Sequence, residues 1–174
     1  MLNHRLVYII GFMGSGKTTT GKKLASMLGW SFIDLDKKIE EHTGKKIPEL
    51  FSQYGEEYFR NLESEILRKL KSRTDTVIST GGGTPCHSDN MDFMLETGLT
   101  LYLKLTPAQL KSRLSEAKGE RPLLKDITKR NLLSFIKKRL NLREKYYCQA
   151  EIHIDTFEMD YTFLYSVVKK NLYI

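Results

Sequence analysis

Short apolar runs alternate along this chain with longer segments of helical period. Leu6-Val-Tyr-Ile-Ile10 is apolar throughout and stops at a glycine, which suits a strand buried on both faces. Lys17 to Leu28 reads as a helix closed by Gly29, and Ser31 to Asp36 as a second strand. Glu56 to Leu70 has helical period, with Phe59, Leu62, Ile66 and Leu70 on one stripe. Thr76 to Thr80 is a third strand that ends abruptly at Gly81-Gly82-Gly83, and Leu99 to Leu105 a fourth. Pro107 then opens a helix at its first turn, where a missing N–H costs nothing. Lys129 to Lys145 is predicted as a long helix, Glu151 to Asp155 as a last strand and Tyr161 to Leu172 as a closing helix. Strands separated by helices imply an α/β fold, a sheet with both faces covered.

Two stretches break this rhythm. His42 to Gly55 is longer than a plain crossover needs, and Glu116 to Asp126 is polar, contains Gly119 and Pro122, and separates two helices. Both are expected to lie over the carboxyl edge of the sheet, where ligands of open α/β sheets bind.

Composition narrows the class. A chain of 174 residues, 40% apolar and 28% charged, is long enough for one domain with a core that needs no staples. No apolar run approaches the length of a membrane span, and MLNHRLVYIIGF is too short to read as a signal peptide. Two distant cysteines, Cys86 and Cys148, exclude a disulfide framework and fit the cytoplasm. The net charge of +7 is concentrated: from Lys104 to Lys145, thirteen Lys and Arg face four acids. Such a block suits a polyanionic ligand, a nucleic-acid backbone or a solvated helix face. No aromatic–Gly RNA signature or zinc finger accompanies it.

The chemistry begins at Gly11-Phe-Met-Gly-Ser-Gly-Lys-Thr18, which matches G-x-x-x-x-G-K-[ST] between a predicted strand and a predicted helix. Glycines let the backbone wrap a phosphate, so that successive N–H groups and the helix N-terminus face the anion. Lys17 reaches the β- and γ-phosphates in such a loop, and the Thr18 hydroxyl ligates Mg²⁺. This predicts a nucleoside-triphosphate site.

Later features bear on the acceptor. Asp34 and Asp36, read as strand positions i and i+2, share a face beside the phosphate loop. Paired acids there suit Mg²⁺ and the proton of an attacking hydroxyl, although acids at strand ends are common. Glu63 falls inside the apolar stripe of its helix, with Arg60 at i−3 placed to pair with it. That pair is either a structural ion pair or a device that aims Arg60 at an anionic substrate. Gly81, Gly82 and Gly83 permit close approach of a ligand or another backbone, or form a plain flexible turn. Arg143 continues the inward stripe of Leu132, Leu133, Ile136 and Leu140, as a snorkelling side chain or as a fork for a carboxylate.

Together, GFMGSGKTT, FIDLD, YFRNLE, TGGGTP, GERPLL and Arg143 in RLNLREKYY resemble the shikimate kinases in order and spacing, over nearly the whole chain. The resemblance implies a P-loop three-layer α/β/α fold with a five-stranded parallel sheet ordered 2-3-1-4-5. It implies one kinase domain over 1–174, with a substrate-binding insertion about 37–64 and a lid about 116–126. The implied activity is transfer of phosphate from ATP, with Mg²⁺, to the 3-hydroxyl of shikimate, on the route to chorismate and aromatic amino acids. Gly14, Ser15, Gly16, Lys17, Thr18 and Thr19 would surround the ATP phosphates, and Arg113 would lie against the adenine. Thr18 and Asp34 would serve the metal, and Asp36 would hold the substrate hydroxyls and act as base. Arg60 and Arg143 would clamp the carboxylate beside Gly81, Gly82 and Gly83, with Glu63 behind Arg60, and Arg121 would come down from the lid onto the phosphates. ATP and shikimate are the expected ligands, with no nucleic-acid or membrane partner, and a monomer is expected. The rival readings are another small-metabolite kinase, such as a gluconate kinase, and a non-catalytic P-loop module that binds nucleotide or RNA.

Overall fold

The computed structural model describes residues 5–116, 124, 127–156 and 159–172. Among them a single all-parallel sheet of five strands has the order β2-β3-β1-β4-β5, as expected. The strands are β1 (Leu6–Ile10), β2 (Ser31–Asp34), β3 (Thr76–Ser79), β4 (Leu99–Lys104) and β5 (Ile152–Asp155). Parallel pairing requires crossovers, and helices supply them. They are α1 (Lys17–Leu28), α2 (Leu35–Thr43), α3 (Ile47–Lys69), α4 (Asn90–Thr97), α5 (Pro107–Glu116), α6 (Leu132–Tyr147) and α7 (Tyr161–Leu172).

The period of two along β1 divides the core. Leu6, Tyr8 and Ile10 face Phe59, Ile66 and Leu67 of α3, Met91 and Met94 of α4, and Leu132, Ile136 and Tyr147 of α6. Val7 and Ile9 face Leu24 and Ala25 of α1 and Leu164, Val168 and Leu172 of α7. Every residue of β1 is buried, and each such Val, Leu or Ile contributes about 1.5–3 kcal/mol. A central strand buried on both sides cannot move without opening both layers. It is therefore a rigid base for whatever its carboxyl end carries.

Three predicted features need correction. The second strand stops at Asp34, and Asp36 lies in the first turn of α2. The side chain of Asp34 caps that helix by accepting from Lys37 N (3.3 Å), which ends the strand. The stretch 42–55 is mostly helical, because α3 already starts at Ile47, with Pro48 in its first turn. Gly55 (φ 83°, ψ 172°) breaks the helical backbone, so the regular helix resumes at Glu56, where its period had placed the start. The helix predicted from Lys129 starts at Leu132. Helix α4 was not foreseen; Asn90–Thr97 is short, with Met91 and Met94 its buried apolar residues. The lid segment 116–126 falls almost entirely outside the described residues, as does Arg121.

Candidate active site

The sheet order changes direction at β1, which lies between β3 and β4 and so opens a crevice at its carboxyl end. The phosphate loop occupies that crevice. Gly16 caps α1 in the left-handed region (φ 94°), so the loop turns sharply and the helix N-terminus is presented to the crevice. The helix starts with Thr20 N donating to Gly16 O (2.9 Å). Lys17 is buried and its Nζ donates to the carbonyls of Gly11 and Phe12, both at 2.9 Å, so the ammonium spans the inside of the loop. Thr18 Oγ1 donates to Asp34 Oδ2 (2.8 Å), bringing a hydroxyl and a carboxylate together at the loop's edge. Arg113 donates through Nη1 to Ser15 O (3.1 Å) and through Nη2 to Thr156 O (3.1 Å), fastening the loop to the end of β5.

Opposite the loop, three remote segments meet. Arg60 Nη1 donates to Glu63 Oε2 (2.7 Å), and Glu63 Oε1 accepts from the Thr84 hydroxyl (2.5 Å). Glu63 has no exposed surface, so both oxygens need partners, and both have them. Arg143 is buried as well; its Nη1 donates to Gly82 O (3.1 Å) and its guanidinium lies 5.5 Å from the Phe12 ring centre. The glycines make this possible by lacking side chains. A Cβ on Gly83 would sit 2.4 Å from Arg60 Nη2, and one on Gly81 would sit 2.6 Å from Glu63 Oε1. None of the three has positive φ, so close approach, not backbone freedom, is what glycine supplies here.

A cavity of about 580 Å³ joins the two halves. Its wall includes Gly14, Gly16, Lys17, Thr18, Thr19 and Asp34 on one side and Arg60, Gly82 and Arg143 on the other. Asp36 lines it between them, with its carboxyl pushed up to about 6 by burial first and then by the charges of Glu63 and Asp34. Lys17 and Arg60 pull in the other direction, so both halves of the site act on this one carboxylate. Among the described residues no three His, Cys, Asp or Glu side chains gather to hold a metal alone. The paired oxygens of Thr18 and Asp34 fit instead a hard cation that keeps water and phosphate oxygens as its other ligands.

The family model for shikimate kinase matches residues 13–169, which contain the loop from Met13 onward, the acidic pair, both arginines and the three glycines. The chain belongs to the shikimate kinase family. It is 44% identical to a shikimate kinase of Parabacteroides distasonis over 153 residues, 88% of either chain. It is 47% identical to one of Bacteroides fragilis over 144 residues, 83% of this chain and 80% of the other. Among solved structures, the Bacteroides thetaiotaomicron shikimate kinase superposes with a TM-score of 0.88 at 39% identity, covering 97% of this chain and 98% of that one. A shikimate kinase from Acinetobacter baumannii in complex with shikimate gives 0.87 at 32% identity, covering 98% of this chain and 94% of that one.

For this shikimate kinase family member, the described site residues expected from the sequence, Ser15 excepted, line one cavity. Glu63 does reach Arg60, and Arg143 does turn inward. Ser15 is buried within the loop, where its backbone carbonyl accepts from Arg113. The sequence reading missed Thr84 and the apolar wall formed by Met13, Ile47 and Phe51 beside Phe59. It also missed Tyr147, although Tyr147 stands four residues after Arg143 on the same inward stripe, and that spacing was a usable signal.

Proposed function

We propose that this cavity transfers the γ-phosphoryl group of ATP to the 3-hydroxyl of shikimate. The observation that carries the reading is Asp36, a half-buried carboxylate under the charge of Lys17 on one side and of Arg60 on the other. Phosphoryl transfer asks little covalent chemistry of the protein; it asks for alignment and charge stabilisation. Residues 14–19 hold the ATP phosphates, and Lys17 leaves the Gly11 and Phe12 carbonyls to follow the transferring phosphoryl group. Thr18 and Asp34 hold Mg²⁺, which neutralises phosphate charge when bound there. Arg113 lies at the nucleotide side, and its anchoring to Ser15 and Thr156 sets where the base is received.

On the acceptor side, Arg60 and Arg143 take the shikimate carboxylate, helped by backbone N–H groups of Gly81, Gly82 and Gly83. Glu63 keeps Arg60 in place. Asp36 receives hydroxyls of the ring and accepts the proton of the attacking one; a base with a pKa of about 6 is mostly ionised at neutral pH yet still basic enough to take it. The segment 37–64 acts as the substrate-binding insertion and 116–126 as a lid that delivers Arg121. The enzyme works as a cytoplasmic monomer without nucleic acid or membrane. Both cysteines are free, and among the described residues no helix is long and apolar enough to cross a membrane.

The test is ADP release from purified protein with ATP and Mg²⁺. Shikimate should give Mg²⁺-dependent turnover, and gluconate and other polyols should give background. Turnover with gluconate at a comparable rate would overturn the acceptor, and no release with any acceptor would favour a non-catalytic nucleotide-binding module.

A further inference from the structure

Arg143 is not the only group on the Gly82 carbonyl. The hydroxyl of Tyr147 donates to the same oxygen at 2.5 Å, while Arg143 Nη1 donates at 3.1 Å. Together they occupy both lone pairs of one carbonyl. Tyr147 has no exposed surface, and its ring lies 5.1 Å from that of Tyr102, so the phenol is held from behind by packing. Burial pushes the pKa of the Tyr147 phenol far up, so it stays a neutral donor at any working pH. The amides of Gly82 and Gly83, by contrast, donate to no acceptor among the described residues. A peptide flanked by glycines on both sides turns over at little steric cost. In a trans peptide the N–H of the following residue points opposite to the carbonyl. Whatever holds the Gly82 carbonyl against α6 therefore aims the Gly83 N–H away from α6, and Gly83 is part of the cavity wall.

We propose that Tyr147 is a positioning residue: its hydroxyl fixes the Gly82–Gly83 peptide so that the Gly83 N–H and the Arg143 fork meet the substrate carboxylate together. This rests on the reading of the site given above. Tyr147 touches no substrate, so its effect must pass through the carboxylate and nothing else. It should be absent for a ligand that lacks one.

The test compares Tyr147→Phe with Tyr102→Phe and Arg143→Lys. Tyr147→Phe keeps the ring and removes the donor. Its KM and calorimetric Kd for shikimate should rise about tenfold, as expected for one lost hydrogen bond to a shared anion cradle. The ATP KM should stay within twofold, and the Kd of the carboxamide analogue of shikimate should not change. Tyr102→Phe loosens the same cluster without touching Gly82, and should leave shikimate affinity at the wild-type value. Equal losses for shikimate and its carboxamide, or for shikimate and ATP, would make Tyr147 a structural residue and overturn the proposal. So would an unchanged shikimate Kd. If Arg143→Lys also left shikimate unchanged, the reading of the clamp itself would fall. Should Tyr147→Phe not fold, the wild-type enzyme still decides: the Gly83 amide proton should move downfield in the ¹⁵N spectrum with shikimate and stay put with the carboxamide. No difference between the two ligands would overturn the proposal.

Discussion

The two halves of the cavity are built in opposite ways. The nucleotide half is built mainly on one continuous stretch, Gly11 to Thr19, with Asp34 and Arg113 beside it, and the groups proposed to bind phosphate are largely backbone N–H groups at a helix N-terminus. The acceptor half draws Arg60 and Glu63 from α3, Thr84 from the turn after β3 and Arg143 from α6. Its ions are buried, and a buried charge that loses its partner costs about 3–5 kcal/mol. The phosphate loop therefore tolerates change wherever glycine geometry, Lys17 and Thr18 survive. The clamp depends on three remote segments staying in register to a few tenths of an ångström, since Gly83 leaves no room for a Cβ beside Arg60.

This difference sets the order of expected effects. The largest falls on the nucleotide half: Lys17→Ala should lower kcat by roughly 10³-fold or more, because it removes the charge that follows the transferring group. Circular dichroism and thermal melting should show the fold retained, since β1 and both core layers are untouched. Near-wild-type turnover would remove the kinase assignment.

Asp36→Asn comes next and separates chemistry from stability. An amide cannot take the hydroxyl proton, so kcat should fall by about 10²–10⁴-fold. The pKa of Asp36 in the folded state is raised from 3.8 to about 6, so its protonated form contributes stability that is full below about 4 and lost as pH rises through about 6. At pH 7–8 the ligand-free Asp36→Asn enzyme should therefore be more stable than wild type, by about 1–3 kcal/mol. Denaturant titrations at pH 4.5 and 7.5 check this; the gain should shrink at the lower pH. The same ionisation should give kcat/KM an acid limb near pH 6. A variant with reduced kcat and no pH-dependent gain in stability would place Asp36 in a different electrostatic setting.

A smaller effect sharpens the contrast within the acceptor half. Gly83→Ala should push Arg60 off its site and raise the shikimate KM by about tenfold or more, with the ATP KM nearly unchanged. Gly29→Ala, at the left-handed cap of α1, meets no atom within 4 Å and should cost only about 1 kcal/mol of stability, visible in melting and absent from kinetics. If both alanines acted alike, the glycines after β3 would be ordinary turn residues.

The same contrast explains what could be read along the chain. The loop was legible because its chemistry is contiguous and lies between a strand and a helix of unmistakable period. Arg143 and Glu63 were legible as charges out of place on apolar stripes, a local signal of a non-local partner. Thr84 carried no such signal: a threonine beside a glycine run reads as turn, and only the fold brings it within 2.5 Å of Glu63. Asp36 was placed on the right cavity by the wrong geometry. The alternation of a strand had aligned it with Asp34, whereas the chain turns into α2 at Asp34 and the first helical turn brings Asp36 over the same edge. Helix α2 was hidden because a strong cap sits on the last residue of a strand, and α4 because eight residues make too few turns to show a period.

That the two halves are separately dedicated, one to phosphate and one to carboxylate, is tested most directly by calorimetry on Arg60→Lys and Arg143→Lys with each ligand in turn. Lysine keeps the charge and loses the planar fork. Shikimate binding should weaken by about 1–3 kcal/mol in each variant, while binding of a non-hydrolysable ATP analogue stays within twofold. Equal losses for both ligands would contradict the account and make the arginines supports of the fold.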